Sequence, residues 1–376
     1  MKKRTRDRND RIWFFGFSLW KRRFIPPFFP DYPREALRFV STGLGKRDSL
    51  DLALQKGLKA GDRLCIWGRK EYPSLERWAR ENDVPLYRAE DGFIRSVGLG
   101  SDLTRPYSLV FDSRGIYFDP TVESDLEKML NHDDCKPSLL ERSRRLQKYL
   151  LEKKLSKYNA SLEKKIVLPP HSHGKRVLLV PGQVEDDASI LYGADGMKNL
   201  ELLQAVRKTS PDAWILYKPH PDVTAGNRKG TISPEEMKKY CDQVIDDVSL
   251  DSVLSVADEV HTMTSLVGFE ALIRGKKVTT YGMPFYAGWG LTEDQRQCRR
   301  RARLRSLDEL VAMTLIRYPR YVSPQDGRLC EVEELLSEME KQKKRYNHHR
   351  FYRWRINLRN GFSRKIQWMG RKWKGE

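Results

Sequence analysis

Arg176-Val-Leu-Leu-Val180 runs straight into Pro181-Gly182, and this junction decides the fold. Five apolar-rich residues closed by a turn pair read as a strand with an abrupt end. Downstream, Asn199–Lys208 reads as an amphipathic helix and Ala213–Tyr217 as the next strand. A helix over Asp251–Ala257 and a strand over Glu259–Met263 follow. Ser265–Arg274 reads as a helix stopped by Gly275, and Lys277–Tyr281 as a final strand. Strands alternating with helices predict a parallel α/β sheet.

Working outward, the same alternation occurs upstream. Ile12–Leu19 reads as a buried strand ending in a turn, and Pro26, Pro27, Pro30 and Pro33 then exclude a continuous helix. Arg63–Trp67 and Val84–Tyr87 read as strands around a helix over Pro73–Asn82. Glu123–Leu130 and Pro137–Tyr158 read as helices, and 159–174 as a linker. Two tandem Rossmann-like units are therefore expected. Residues 1–165 form the first domain and 175–300 the second, followed by C-terminal helices over 301–340 and a basic aromatic tail over 341–376.

The charge is placed unevenly. The chain of 376 residues has a formal net charge of +19, carried by 70 Lys/Arg and 51 Asp/Glu. All of the excess lies in residues 1–23 and 341–376, and the body between is balanced. A neutral body weighs against a fold that tracks a nucleic-acid backbone. The 5 cysteines are scattered without metal-ligand or disulfide spacing, which fits a reducing compartment. Ile12–Leu19 is too short to span a bilayer, and Lys21-Arg22-Arg23 follows it with no small-residue cleavage site. A cytoplasmic protein is expected.

Ligands of open α/β sheets bind beyond the carboxyl ends of the strands, so the residues just after each strand are the candidates. Gln183-Val-Glu-Asp-Asp-Ala-Ser189 supplies carboxylates for a nucleophile or base, although an acidic turn in solvent has the same look. Lys218-Pro-His-Pro221 holds an imidazole between two prolines beside a second cation, a pair suited to a departing phosphate. Thr264 and Ser265 open a helix whose N-terminus can accept an anion or simply be capped. Glu270, a charge within an apolar helix, suits a ribose diol. The usual glycine-rich dinucleotide and Walker sequences are missing.

These motifs carry a resemblance. Together with Glu90-Asp-Gly-Phe-Ile-Arg-Ser-Val-Gly-Leu-Gly100 and Tyr281-Gly-Met-Pro-Phe-Tyr-Ala-Gly-Trp-Gly290, they are similar to the capsule-polysaccharide β-Kdo transferases of the KpsC type. The likeness covers roughly residues 60–295. It implies a GT-B fold, with two Rossmann-like domains facing a central cleft, and CMP-Kdo as donor substrate, with no cofactor or metal. It implies transfer with retention to a saccharide or lipid-linked acceptor. Carried over, Asp187 is the nucleophile, His220 meets the CMP phosphate, and Gln183, Ser189, Lys218, Thr264, Ser265 and Glu270 complete the donor site. Glu90 or Asp91 serves the acceptor. The full-length family enzyme resembles two fused modules, and this chain has room for one.

The alternatives are a sugar-nucleotide epimerase or other transferase on the same fold, and a non-enzymatic polyanion-binding protein. The tail interleaves bases with Tyr346, Phe351, Tyr352, Trp354, Phe362, Trp368 and Trp373. Such a segment suits the headgroup level of an anionic membrane, here the cytoplasmic face of the inner membrane. A disordered basic tail and a nucleic-acid arm are the other readings.

Overall fold

A computed structural model of the chain describes residues 10–41, 49–96, 105–157, 165–224, 226, 228–246 and 248–348. The first domain begins with strands β1 (Ile12–Phe15), β2 (Leu37–Phe39), β3 (Arg63–Trp67), β4 (Leu86–Asp91) and β5 (Ser108–Asp112). The second holds β6 (Val177–Pro181), β7 (Trp214–Lys218), β8 (Gln243–Val244), β9 (Glu259–Thr262), β10 (Lys277–Thr280) and β11 (Glu293–Asp294). Two further strands, β12 (Arg320–Val322) and β13 (Leu329–Cys330), return to the first domain.

The second sheet runs β11-β10-β9-β6-β7-β8, with every pairing parallel. The first runs β13-β12-β5-β4-β3-β1-β2. Its β2-β1-β3-β4 portion is parallel, whereas β5, β12 and β13 pair antiparallel at one side. Two Rossmann-like domains thus face a central cleft, a GT-B fold.

The apolar runs become strands because both faces of each sheet are covered. Along β1, Ile12 and Phe14 enter one core while Trp13 and Phe15 enter the core on the opposite face. Along β6, Leu178 and Val180 face one core, and Val177 and Leu179 the other. That second core is continuous through both domains. The Phe93 ring lies 4.6 Å from those of Tyr117 and Phe285, and Phe285 lies 5.2 Å from Phe269.

The chain crosses between domains more than once. It leaves the first after the helix Pro137–Glu152 and comes back through the helix Leu307–Val311, its continuation Ala312–Arg317, and β12. Buried Glu127 accepts from Arg300 (2.7 Å) and Arg301 (3.1 Å), tying the two domains together. Residues 301–340, read from sequence as C-terminal helices, therefore also supply two strands. A three-residue strand has no room for a periodic signature, and its pairing with β5 arises only in the fold. The helix Val332–His348 runs past residue 340 into the segment read as the tail. The rest of that tail, with its membrane-docking expectation, lies outside the described residues.

Candidate active site

β6 and β9 are neighbours although β7 and β8 intervene in sequence, so the second sheet reverses its strand order between them. Such a switch point opens a crevice beyond the carboxyl ends. Gln183 spans it. Its Oε1 accepts from Thr264 N (2.9 Å) and Thr262 Oγ1 (3.3 Å), and its Nε2 donates to Thr264 Oγ1 (2.9 Å). Asn199 fixes the Gln183 backbone from behind, accepting from its N–H and donating to its carbonyl, both at 2.8 Å. Gln183, expected on the donor, is thus mainly a strut that sets where Thr264 and the following helix begin.

A cavity of about 460 Å³ opens at this place. Every residue singled out from sequence lines it: Glu90 and Asp91 from the first domain, and Gln183, Asp187, Ser189, Lys218, His220, Thr264, Ser265 and Glu270 from the second.

Asp187 caps the helix Ala188–Gly193. Its Oδ2 accepts from Ser189 N (3.2 Å) and Ser189 Oγ (2.7 Å). One carboxylate oxygen is thereby pinned, which orients the other, and the side chain stands exposed in the cleft. His220 follows β7, whose last residue is Lys218. Asp222 N donates to His220 Nδ1 at 3.1 Å, so the ring proton belongs on Nε2. Burial lowers the His220 pKa from its ordinary value, partly offset by Asp222 and Asp187. A neutral imidazole with a directed N–H results.

Ser265 caps the helix Leu266–Ile273, accepting from Val267 N at 3.2 Å. Tyr286 Oη donates to Ser265 O at 2.5 Å, and this approach requires glycine at 268, where a Cβ would sit 2.2 Å from that phenol oxygen. Glu270 is buried. Its Oε1 accepts from Lys157 N at 3.0 Å, while Oε2 has no hydrogen-bond partner. Burial raises its pKa above the usual carboxylate range, and Arg274 opposes the shift. A buried lone oxygen is costly unless a ligand donor meets it.

Across the cleft, Asp91 is paired with Arg95 (2.6 Å), and its Oδ1 is buried without a partner. Glu90 accepts only from Asp91 N, at 2.9 Å, among the hydrogen bonds described for its side chain. Burial, then the neighbouring Asp91, push its pKa up to about 7, against the pull of Lys21. Lys21, whose Nζ lies 3.4 Å from the centre of the Trp67 ring, is in turn lowered by burial to about 8. Glu90 is thereby tuned to exchange a proton near neutrality.

The sequence reading missed several residues of the cavity. Lys157 enters from the connector between domains, and Arg228 pairs with Asp186 at 2.9 Å. Arg228 sits in Gly226-Asn-Arg-Lys-Gly230, whose flanking glycines are a loop signal, whereas Lys157 left none. Among the described residues, no group of His, Cys, Asp and Glu is arranged to hold a metal ion. Among the same residues, no helix is long and apolar enough to cross a membrane.

The profile of the family described as capsule polysaccharide biosynthesis protein matches residues 62–321. The capsule polysaccharide modification protein LipA of Neisseria meningitidis serogroup B is 45% identical over 343 residues, covering 91% of this chain and 47% of LipA. The chain thus spans about half the length of that relative. The lipopolysaccharide-processing protein LpsZ of Rhizobium meliloti is 40% identical, covering 87% of this chain and 74% of LpsZ. Among solved structures, the β Kdo 2,7 transferase of Thermosulfurimonas dismutans KpsC superposes with a TM-score of 0.71 at 40% identity. That match covers 89% of this chain and 100% of the other.

Proposed function

The chain belongs to the capsule polysaccharide biosynthesis protein family, and from that premise we propose that it is a retaining β-Kdo glycosyltransferase. In this reading Kdo moves from CMP-Kdo to a glycan or glycolipid acceptor of a capsule or lipopolysaccharide-type surface polysaccharide. The observation that carries it is the convergence of Asp187, His220, Glu270 and Glu90 on one cavity.

The Asp187 carboxylate attacks the anomeric carbon of Kdo as the bond to the CMP phosphate breaks. The phosphate leaves with the electron pair, receiving a hydrogen bond from His220 Nε2–H. Thr264, Ser265 and the start of their helix hold the nucleotide, and the lone Glu270 oxygen accepts from a ribose hydroxyl. Glu90 then takes the proton of an acceptor hydroxyl, whose oxygen displaces Asp187 from the anomeric carbon. Two inversions restore the original face. No step requires a metal or a cofactor.

The test is incubation with CMP-Kdo and a Kdo-terminated acceptor, with NMR assignment of the new linkage. A β-configured product, and a Kdo adduct on the Asp187 peptide when acceptor is withheld, are expected. Turnover of a UDP-sugar with no use of CMP-Kdo would overturn the reading in favour of an epimerase or another transferase.

The same proposal includes docking on the anionic inner surface of the inner membrane through the basic aromatic tail. Lys and Arg gain about 1 kcal/mol each near such a surface. A chain ending at His348 is expected to lose flotation with anionic vesicles while retaining CMP binding. Equal flotation of both chains removes the tail from the proposal.

A further inference from the structure

Among the described residues three cations line the cleft, Lys157, Lys218 and Arg228, and the mechanism above uses none of them. The helix Pro137–Glu152 ends at a turn in which Lys154 adopts a left-handed φ of +49°. Leu155 follows, 2% exposed, donating to Leu150 O at 3.0 Å and plugging the core shared by both domains. Ser156 and Lys157 then line the cavity. The Lys157 amide is held by Glu270 Oε1 at 3.0 Å. A connector fixed by a buried leucine on one side and a buried carboxylate on the other delivers Lys157 to one place.

That place lies between the two halves of the site. Lys157 lines the cavity together with Glu90 and Tyr117 of the first domain and His220 and Glu270 of the second. A CMP-linked sugar acid brings two negative groups, the phosphate and the sugar carboxylate. His220 offers a directed hydrogen bond but, held neutral, no charge. Arg228, which pairs with Asp186, and Lys218, the last residue of β7, both belong to the second domain, whereas Lys157 lies on the connector between the two. Charge-assisted bonds to an oxyanion are about twice as strong as neutral ones, so a positioned ammonium changes what the cavity can hold.

We propose that Lys157, carried on the connector between the domains, recognises an anionic group of the bound sugar nucleotide, while its backbone amide holds Glu270 in position. The proposal rests on the nucleotide-sugar reading of the cleft. It adds a binding residue that bridges donor and acceptor sides and belongs to neither sheet. Because one residue touches Glu270 through its amide and the ligand through its ammonium, side-chain replacement separates the two roles.

Lys157→Met and Lys157→Arg in the full chain test it, using calorimetry with cytidine and CMP and steady-state kinetics with CMP-Kdo. If the phosphate is recognised, Lys157→Met weakens CMP binding by about ten- to a hundredfold and leaves cytidine unchanged. If the sugar carboxylate is recognised, CMP binds normally and KM for CMP-Kdo rises by a similar factor. Arg restores most of either loss. Wild-type CMP binding together with wild-type KM in Lys157→Met overturns the proposal, as does an equal loss of cytidine affinity.

Failure of the nucleotide reading shows separately, as wild-type protein that binds neither cytidine nor CMP. Thermal unfolding with inorganic phosphate or free Kdo then decides the matter. An increase in Tm with either anion that is present in wild type and absent in Lys157→Met supports the ammonium site. Identical responses overturn it.

Discussion

Glu90 in the first domain and Asp187 in the second both stand near the carboxyl edge of a sheet, and the fold holds them differently. Asp187 is exposed at a helix N-terminus with one oxygen pinned by Ser189. Glu90 is half-buried beside Asp91 and the half-buried Lys21, and its pKa is raised to about 7. Two carboxylates facing one cavity from unlike surroundings are suited to unlike tasks, one to attack carbon and one to move a proton. The motifs do not make this distinction, since each is an acidic pair or triplet after a strand.

The largest effect is expected at Asp187. Asp187→Ala should lower turnover with CMP-Kdo by about 10³-fold or more, since no other group replaces a covalent nucleophile. CMP affinity by calorimetry should stay near wild type. Near-normal turnover in a folded Asp187→Ala protein would reverse the roles assigned to the two sides.

Glu90→Gln comes next, with a loss of about 10²- to 10⁴-fold in kcat, the range for a general base. For wild type, kcat/KM should rise with pH through about 7, because the base acts only when ionised. The limb should vanish in Glu90→Gln. The raised pKa also means that the folded protein holds a proton that the unfolded chain has released, between about pH 4.5 and 7. Stability contributed by this group therefore falls as pH rises across that window. A pH–rate limb unchanged in Glu90→Gln would assign it to another group.

His220→Ala is expected to weaken CMP binding by about ten- to a hundredfold, with cytidine binding little changed. Wild-type CMP affinity in this variant would separate the imidazole from the phosphate. The smallest effect on turnover is expected at Asp91. Its carboxylate is committed to Arg95, which is 5% exposed, so Asp91→Asn should show mainly as lost stability, on the order of 2 kcal/mol by urea unfolding. A loss of turnover matching that of Glu90→Gln would make the pair a joint base.

Much of this arrangement can be read from sequence because its signals are local. A strand such as Val177–Pro181 declares itself by an unbroken apolar run ending at a turn, and the residue after such a run lies where ligands bind. That logic points to Lys218, His220, Thr264 and Ser265, all of which line the cavity. It did not identify Lys157, a single polar residue after a charged helix, nor the structural use of Gln183, whose partners are Thr262 and Thr264 some eighty positions away.

The sequence by itself determined the alternation of strands and helices, the two-domain architecture and the motifs that follow the strands of the second sheet. These depend on periodicity, chain-breaking residues and short motifs, all of them near neighbours along the chain. Tertiary structure decided that β12 and β13 rejoin the first sheet and that the connector delivers Lys157 to Glu270. It also decided that Glu90 has a shifted proton equilibrium. Each of these turns on burial and on groups distant in sequence: Lys157 beside Glu270, Lys21 beside Glu90, β5 beside β12. Desolvation and Coulomb energy depend on where atoms lie in space, and a linear pattern of residue types does not carry that information.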